Sequence, residues 1–145
     1  MWSTLLRNAF NPWNLDISVW GPMTFEPRIA LRILAEGAPE IRGEFVRIFA
    51  PVTVDHLVKR LPLEGMAGKW GSAVYFETDV KRGAEKPVGK MKAGEMGYWP
   101  PQAAICLYHK DQSPPAQMVK VGLMLDDPSP LGNVRPGGRV RILRA

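Results

Sequence analysis

A single cysteine, Cys106, and two histidines, His56 and His109, are the only thiol and imidazole groups in this chain of 145 residues. One cysteine cannot close an internal disulfide, and a metal site built on paired cysteines is excluded with it. Two histidines exclude a histidine-rich metal centre. Also missing are the glycine-rich phosphate loop, the dinucleotide fingerprint GxGxxG, and the HExxH, CxxC and GxSxG motifs. No cofactor and no metal are therefore expected. No window approaches the roughly 20 apolar residues that span a bilayer, so no membrane partner is expected. A reducing cytoplasm is the simplest location for such a chain.

Hydrophobic residues make up 46% of the sequence and charged ones 23%, which is the balance of a folded protein rather than a disordered one. The length suits one domain with a core large enough to fold unaided. Lys and Arg number 19 against 14 Asp and Glu, for a net charge of +5. A basic domain attracts polyanions, but here the cations are scattered. No run of four occurs, no aromatic-basic RNA-binding string is present, and Arg139 and Arg141 alternate with Val140 and Ile142 as on the wet face of a strand. Nucleic acid is not an expected partner.

Residues 1–22 differ from the rest. They hold only Arg7 and Asp16 as charges but three of the five tryptophans, Trp2, Trp13 and Trp20. Asn8, Asn11, Asn14 and Asp16 interrupt any apolar stretch of signal-peptide type. Two readings stand: an overcalled start ahead of Met23, or an arm whose tryptophans dock on the domain or on a second subunit, making a homo-oligomer. The domain proper is expected over residues 23–145.

Within that domain, Ile29, Leu31 and Ile33 alternate with Arg28, Ala30 and Arg32, predicting a half-buried strand over 28–34. A turn at Glu36-Gly37-Ala38-Pro39 and a second strand over 44–49 (EFVRIF) complete a hairpin. A helix follows from Pro51, with Thr53 as its cap, Lys59 and Arg60 in its last turn, and Pro62 as its stop. Val54, Leu57, Val58 and Leu61 recur at helical spacing as its buried stripe, and His56 lies off it. Gly65, Gly68 and Gly71 read as a connector. Strands are then expected over 73–78, 97–99, 103–108, 118–125 and 139–143, with loops over 81–95 and 126–138. Six to eight short strands with one clear helix favour a closed barrel, because closure removes exposed edges.

Few residues offer chemistry. A Cys106–His109 nucleophile pair is conceivable, but Cys106 sits in the apolar run AAICLY and reads as a buried hydrophobe. The most distinctive string is Gly97-Tyr98-Trp99-Pro100-Pro101-Gln102. Aromatics beside prolines can line a groove for a proline-rich or planar ligand; they can equally plug a barrel end. Asp126-Asp127-Pro128-Ser129-Pro130 is explained by turn chemistry.

The strings FAPVTVDHLVKRLPLEG (residues 49–65), WGSAVYFET (70–78), GYWPPQAAICLY (97–108), DDPSPL (126–131) and GGRVRI (137–142) resemble the small bacterial and archaeal cyclophilin-like domain family. They cover most of the chain after Met23. The resemblance implies a mainly β fold: a closed antiparallel barrel of about eight strands with one or two capping helices. In true cyclophilins a groove on the barrel wall binds Xaa-Pro peptides, and an arginine following strand aromatics polarises the prolyl amide. Here the comparable strand reads Tyr75-Phe76-Glu77, with a carboxylate where a donor is needed. The expectation is therefore a barrel that binds a small molecule or short proline-containing peptide in a groove lined by Tyr75, Glu77, Tyr98, Trp99 and Gln102, without efficient isomerase activity. The alternatives are an atypical peptidyl-prolyl isomerase using Gln102 with a loop cation, and a structural subunit assembled through the N-terminal arm.

Overall fold

In the computed structural model, which describes residues 26–145, Ile29, Leu31 and Ile33 point into the core from β1 (Arg28–Ala35) while Arg28, Ala30 and Arg32 face solvent. The readings made of residues 1–22, as an arm or an overcalled start, lie outside the described residues. β1 pairs antiparallel with β2 (Ile41–Val46), so the hairpin forms as the alternation demands. β2 sits three residues earlier than its sequence suggests. Its inward positions are Ile41, Gly43 and Phe45, and Gly43 hides the alternation because it carries no side chain. A Cβ there would lie 2.9 Å from Ile33 Cδ1 and 3.1 Å from the Leu123 carbonyl oxygen, so the close approach of three strands leaves room only for hydrogen. The residues 47–49, expected as strand, form a 3-10 turn instead, anchored where the Arg47 amide donates to the Pro27 carbonyl at 2.9 Å.

That turn delivers the chain into α1 (Pro51–Lys59), which buries Val54 and Leu57 and leaves Val58 and Leu61 partly covered. His56 is exposed. The helix cap is not Thr53. Ala50 holds the cap position and Pro51 the first helical one, where a missing N–H costs nothing. Thr53 lies inside the first turn, and the free N–H groups are met from a distant loop. The Glu85 carboxylate accepts from the Val52 amide at 3.2 Å, from the Thr53 amide at 2.8 Å and from the Thr53 hydroxyl at 2.8 Å. A carboxylate at a helix N-terminus also matches the helix dipole.

The glycine-rich stretch expected as a connector is strand. β3 (Leu63–Met66) pairs with β9 (Arg139–Arg144), and β4 (Gly68–Trp70) pairs with β5 (Ala73–Glu77). Between them Ala67 donates to the Gly138 carbonyl at 2.7 Å and accepts from the Gly137 amide at 2.8 Å. With β6 (Glu95–Trp99), β7 (Ala104–Tyr108) and β8 (Val119–Met124), the sheet order is β3-β9-β1-β2-β8-β6-β7-β5-β4. Its two ends are successive parts of one extended segment, so the nine strands make a nearly closed antiparallel barrel. The glycines serve approach rather than looseness: a Cβ on Gly65 would stand 3.2 Å from the Phe76 side chain.

The barrel holds the main core, including Phe45, Phe76, Met96, Tyr98, Ile105 and Leu107. A smaller apolar cluster of Ala73, Met91, Cys106, Tyr108 and Met118 sits on the other face of β5, β7 and β6. The loop over 81–95 covers it by isolated bridges, Pro87 to Val119 and Met91 to Gln112, so this loop is a wall lining with no strand of its own. Among the described residues no helix is long and apolar enough to cross a membrane.

Glu85 therefore ties a loop to the helix. Burial pushes its carboxyl up, but bonds from the Thr53 amide and hydroxyl and from the Val52 amide, with Lys86 nearby, outweigh this and hold it below the ordinary carboxylate range. A depressed folded pKa gives stability that is present above the unfolded value of about 4.3 and lost as pH falls through the folded one. Glu85→Ala should lower unfolding free energy by about 1 kcal/mol near neutral pH. Thermal melts of both proteins should converge as the buffer is taken below about pH 4.

Candidate functional site

Strand pairing sets two rows of side chains on the outer face of β5, β7 and β6. Tyr75 stands beside Cys106 and then Gly97; Glu77 stands beside Ala104 and then Trp99. In both rows the β7 residue is small, so Ala104 and Cys106 form a floor, with Tyr75 taller on the β5 side and Trp99 on the β6 side. β4 adds the near wall, with Gly68 opposite Tyr75 and Trp70 opposite Ala73. The Tyr75 ring lies across Gly68, where a Cβ would come within 2.4 Å of Tyr75 Cζ. The Trp70 and Trp99 rings lie 5.3 Å apart at 43°, and Tyr75 meets Trp70 edge-on at 6.4 Å and 89°. The resulting cleft has a volume of about 330 Å³ and is lined by Trp70, Tyr75, Trp99, Gln102, Ala104 and Cys106, with Lys69 at its border.

Of the five residues expected from sequence to line the groove, Tyr75, Trp99 and Gln102 meet in this cleft. Tyr98 does not. Neighbours along a strand face opposite ways, and Tyr98 points into the main core, where its hydroxyl donates to the Val80 carbonyl at 2.5 Å and accepts from the Arg82 amide at 3.0 Å. Glu77 is exposed and borders a separate depression with Arg60, Glu64, Thr78 and Asp79. Trp70 is the residue that sequence reasoning missed, because it sat in what read as a connector. The signal was present: Trp70-Gly71-Ser72-Ala73 is a two-residue hairpin turn, with Gly71 at φ +58°. Gln112 braces that turn, its Oε1 accepting from the Ser72 amide at 2.7 Å and the Ser72 hydroxyl at 2.6 Å.

The polar groups of the cleft divide into used and free. Trp99 Nε1 donates to the Ala116 carbonyl at 3.0 Å, which fixes that ring. The Lys69 ammonium donates to the Gly132 carbonyl at 2.8 Å. Trp70 Nε1, the Tyr75 hydroxyl and the Gln102 amide have no hydrogen-bond partner among the described residues. Among the described residues no arginine lines the cleft, so none of them places a guanidinium where a prolyl amide would be polarised.

Nucleophilic chemistry has no support here. Burial pushes the Cys106 thiol up to about 12. His109 lies just past the end of β7, in the bend that follows Tyr108. Its imidazole is held below the ordinary value by burial and by the Lys69 and Lys110 cations, so it gains no carboxylate to orient it as a base. Among the described residues no group of three His, Cys, Asp or Glu is placed to hold a metal ion. Asp126 is engaged by Arg42, whose Nη2 donates at 2.7 Å, and Asp127 accepts from the Ser129 amide at 3.0 Å, as turn residues do.

A family model described as cyclophilin-like matches residues 29–143 of the chain. Among solved structures, the solution structure of a hypothetical protein from Archaeoglobus fulgidus is similar at 28% sequence identity with a TM-score of 0.70, the match covering 83% of this chain and 98% of that one. No curated protein matches.

With its pKa near 12, the thiol should be about one part in ten thousand thiolate at about pH 8. Native protein mixed with dithiobis-nitrobenzoate should release colour only over hours, whereas one equivalent should appear at once in denaturant. Fast labelling of the folded chain would return Cys106 to contention as a reactive group.

Proposed function

The chain belongs to the cyclophilin-like family, and from that premise we propose that it is a binding protein whose ligand, a small molecule or short proline-containing peptide, lies in the outer-wall cleft and is not isomerised there. The observation that carries this reading is the cleft itself, in which three aromatic rings stand over a floor of small residues and three neutral polar groups have no partner among the described residues. Aromatic faces supply large contact area at little entropic cost, and unsatisfied donors at a cleft rim are the usual source of orientation.

Absence of a polarising cation argues against isomerase action. Rotation about a peptide bond faces a barrier of roughly 18–20 kcal/mol, and lowering it requires a preorganised donor aimed at the amide. Among the described residues the cleft contains no arginine, and its lining lysine, Lys69, is engaged with the Gly132 carbonyl. Glu77, a carboxylate, would repel a carbonyl oxygen and lies outside the cleft in any case.

Exchange NMR on a blocked proline tetrapeptide, with the full chain at stoichiometric concentration, should show cis–trans exchange at the uncatalysed rate. Trp99→Ala should keep the far-UV spectrum of the barrel yet lose the ligand-induced change in tryptophan fluorescence. Clear acceleration of exchange would make the protein an isomerase; an unchanged fluorescence response when Trp70→Phe is combined with Trp99→Ala would remove this cleft as the site.

A further inference from the structure

Resting on the ligand-binding reading above, we infer that the occupant of the cleft is an uncharged, flat compound of one or two fused rings bearing an amide-type carbonyl. Shape supplies the first reason. The Trp70 and Trp99 rings stand 5.3 Å apart, so a group midway between them would lie under 3 Å from both, inside the roughly 3.5–4.0 Å of carbon contact. The rings therefore leave no room for a methylammonium caged between them, as in aromatic-cage recognition. Tilted at 43°, they leave a flat ligand to lie against the face of one ring and the edge of the other. A volume of about 330 Å³ is at the small end of ligand clefts and suits a compact ring system better than an extended chain.

Charge supplies the second. The floor is Ala104 and Cys106, and the free polar groups are an indole N–H, a phenol and a primary amide, all neutral. Among the described residues lining the cleft Lys69 is the one ionised side chain, its ammonium on the Gly132 carbonyl, and no carboxylate lines it. A cationic ligand would leave water without a countercharge, and an anionic one would have to draw Lys69 away from Gly132, so neither desolvation cost is offset by the lining as it stands. A neutral carbonyl, by contrast, can accept from Trp70 Nε1 or Tyr75, while an adjacent N–H can donate to the Gln102 carbonyl.

A matched series tests this on the full chain: naphthalene-2-carboxamide, 2-naphthoate and 2-naphthylmethylammonium, each titrated at neutral pH while the indole N–H signals of Trp70 and Trp99 are followed by NMR. The carboxamide should move both signals, with a Kd about tenfold or more below that of either ion. Trp70→Phe, which keeps a ring but removes the donor, should weaken the carboxamide about three- to tenfold, with the remaining amide spectrum serving as the check on folding. Equal or tighter binding of the naphthoate or the ammonium at these signals would overturn the inference. Movement by a blocked proline tetrapeptide with silence from the carboxamide would overturn it too while leaving the binding cleft intact. Silence from all four probes would overturn the cleft itself.

Discussion

The barrel depends on how residues 63–70 divide their backbone hydrogen bonds. The first half of this segment pairs with β9, the last strand in the chain, and the second half with β5. Ala67, buried at the junction, keeps both its amide and its carbonyl on residues 137–138 while the partner strand changes. Two otherwise open sheet edges are thereby satisfied by one stretch of chain, and no long edge is left as a template for association. The arrangement requires close approach, which explains glycine at 65 and 68, where side chains would meet Phe76 and Tyr75. It also sets β4 against β5, and so brings Trp70 to the wall on which Trp99 stands.

Much of this was legible in the sequence, and the misses share one cause. β1 declared itself because the branched aliphatics Ile29, Leu31 and Ile33 alternate with Arg28, Ala30 and Arg32. α1 did so through its stripe and its prolines. β2 shifted, and β3 with β4 went unseen, because glycine marks both loops and crowded strands, and only the neighbouring backbone distinguishes the two. Gly43 beside Ile33 and Gly68 beneath Tyr75 are strand positions whose partners are distant in sequence. The helix cap failed for the same reason: Thr53 is a good local candidate, but a carboxylate 32 residues away took its place. Local chemistry suggests a partner, and tertiary contact selects it.

The candidate site was legible by composition and not by direction. Aromatics around a double proline marked one wall, and Tyr75, Trp99 and Gln102 meet at the cleft in it. Whether Tyr98 or Trp99 faces outward turns on strand register, since a one-residue shift reverses the face of every side chain. Register is set by pairing with β7 and β8, including the irregularity between Met96 and Gly97. The cleft itself exists because Ala104 and Cys106 on β7 and Gly97 on β6 are small at neighbouring outward positions. A patch of small residues shared between two strands shows only in part along either one.

The loop over 81–95 joins two parts of the molecule that otherwise touch little. Near its start Glu85 holds the end of α1, and a few residues later Val88 and Met91 pack on the cluster that includes Cys106 and lies against Trp70 and Trp99. Its backbone is secured there by the Val88 amide on the Met118 carbonyl at 2.9 Å and by the exchange between Met91 and Gln112. Helix end and cleft backing thus form one cooperative unit: releasing the loop at either place costs contacts at both. A loosening of the first turn of α1 is therefore expected to reach the strands behind the aromatic wall, although no residue of the helix borders the cleft.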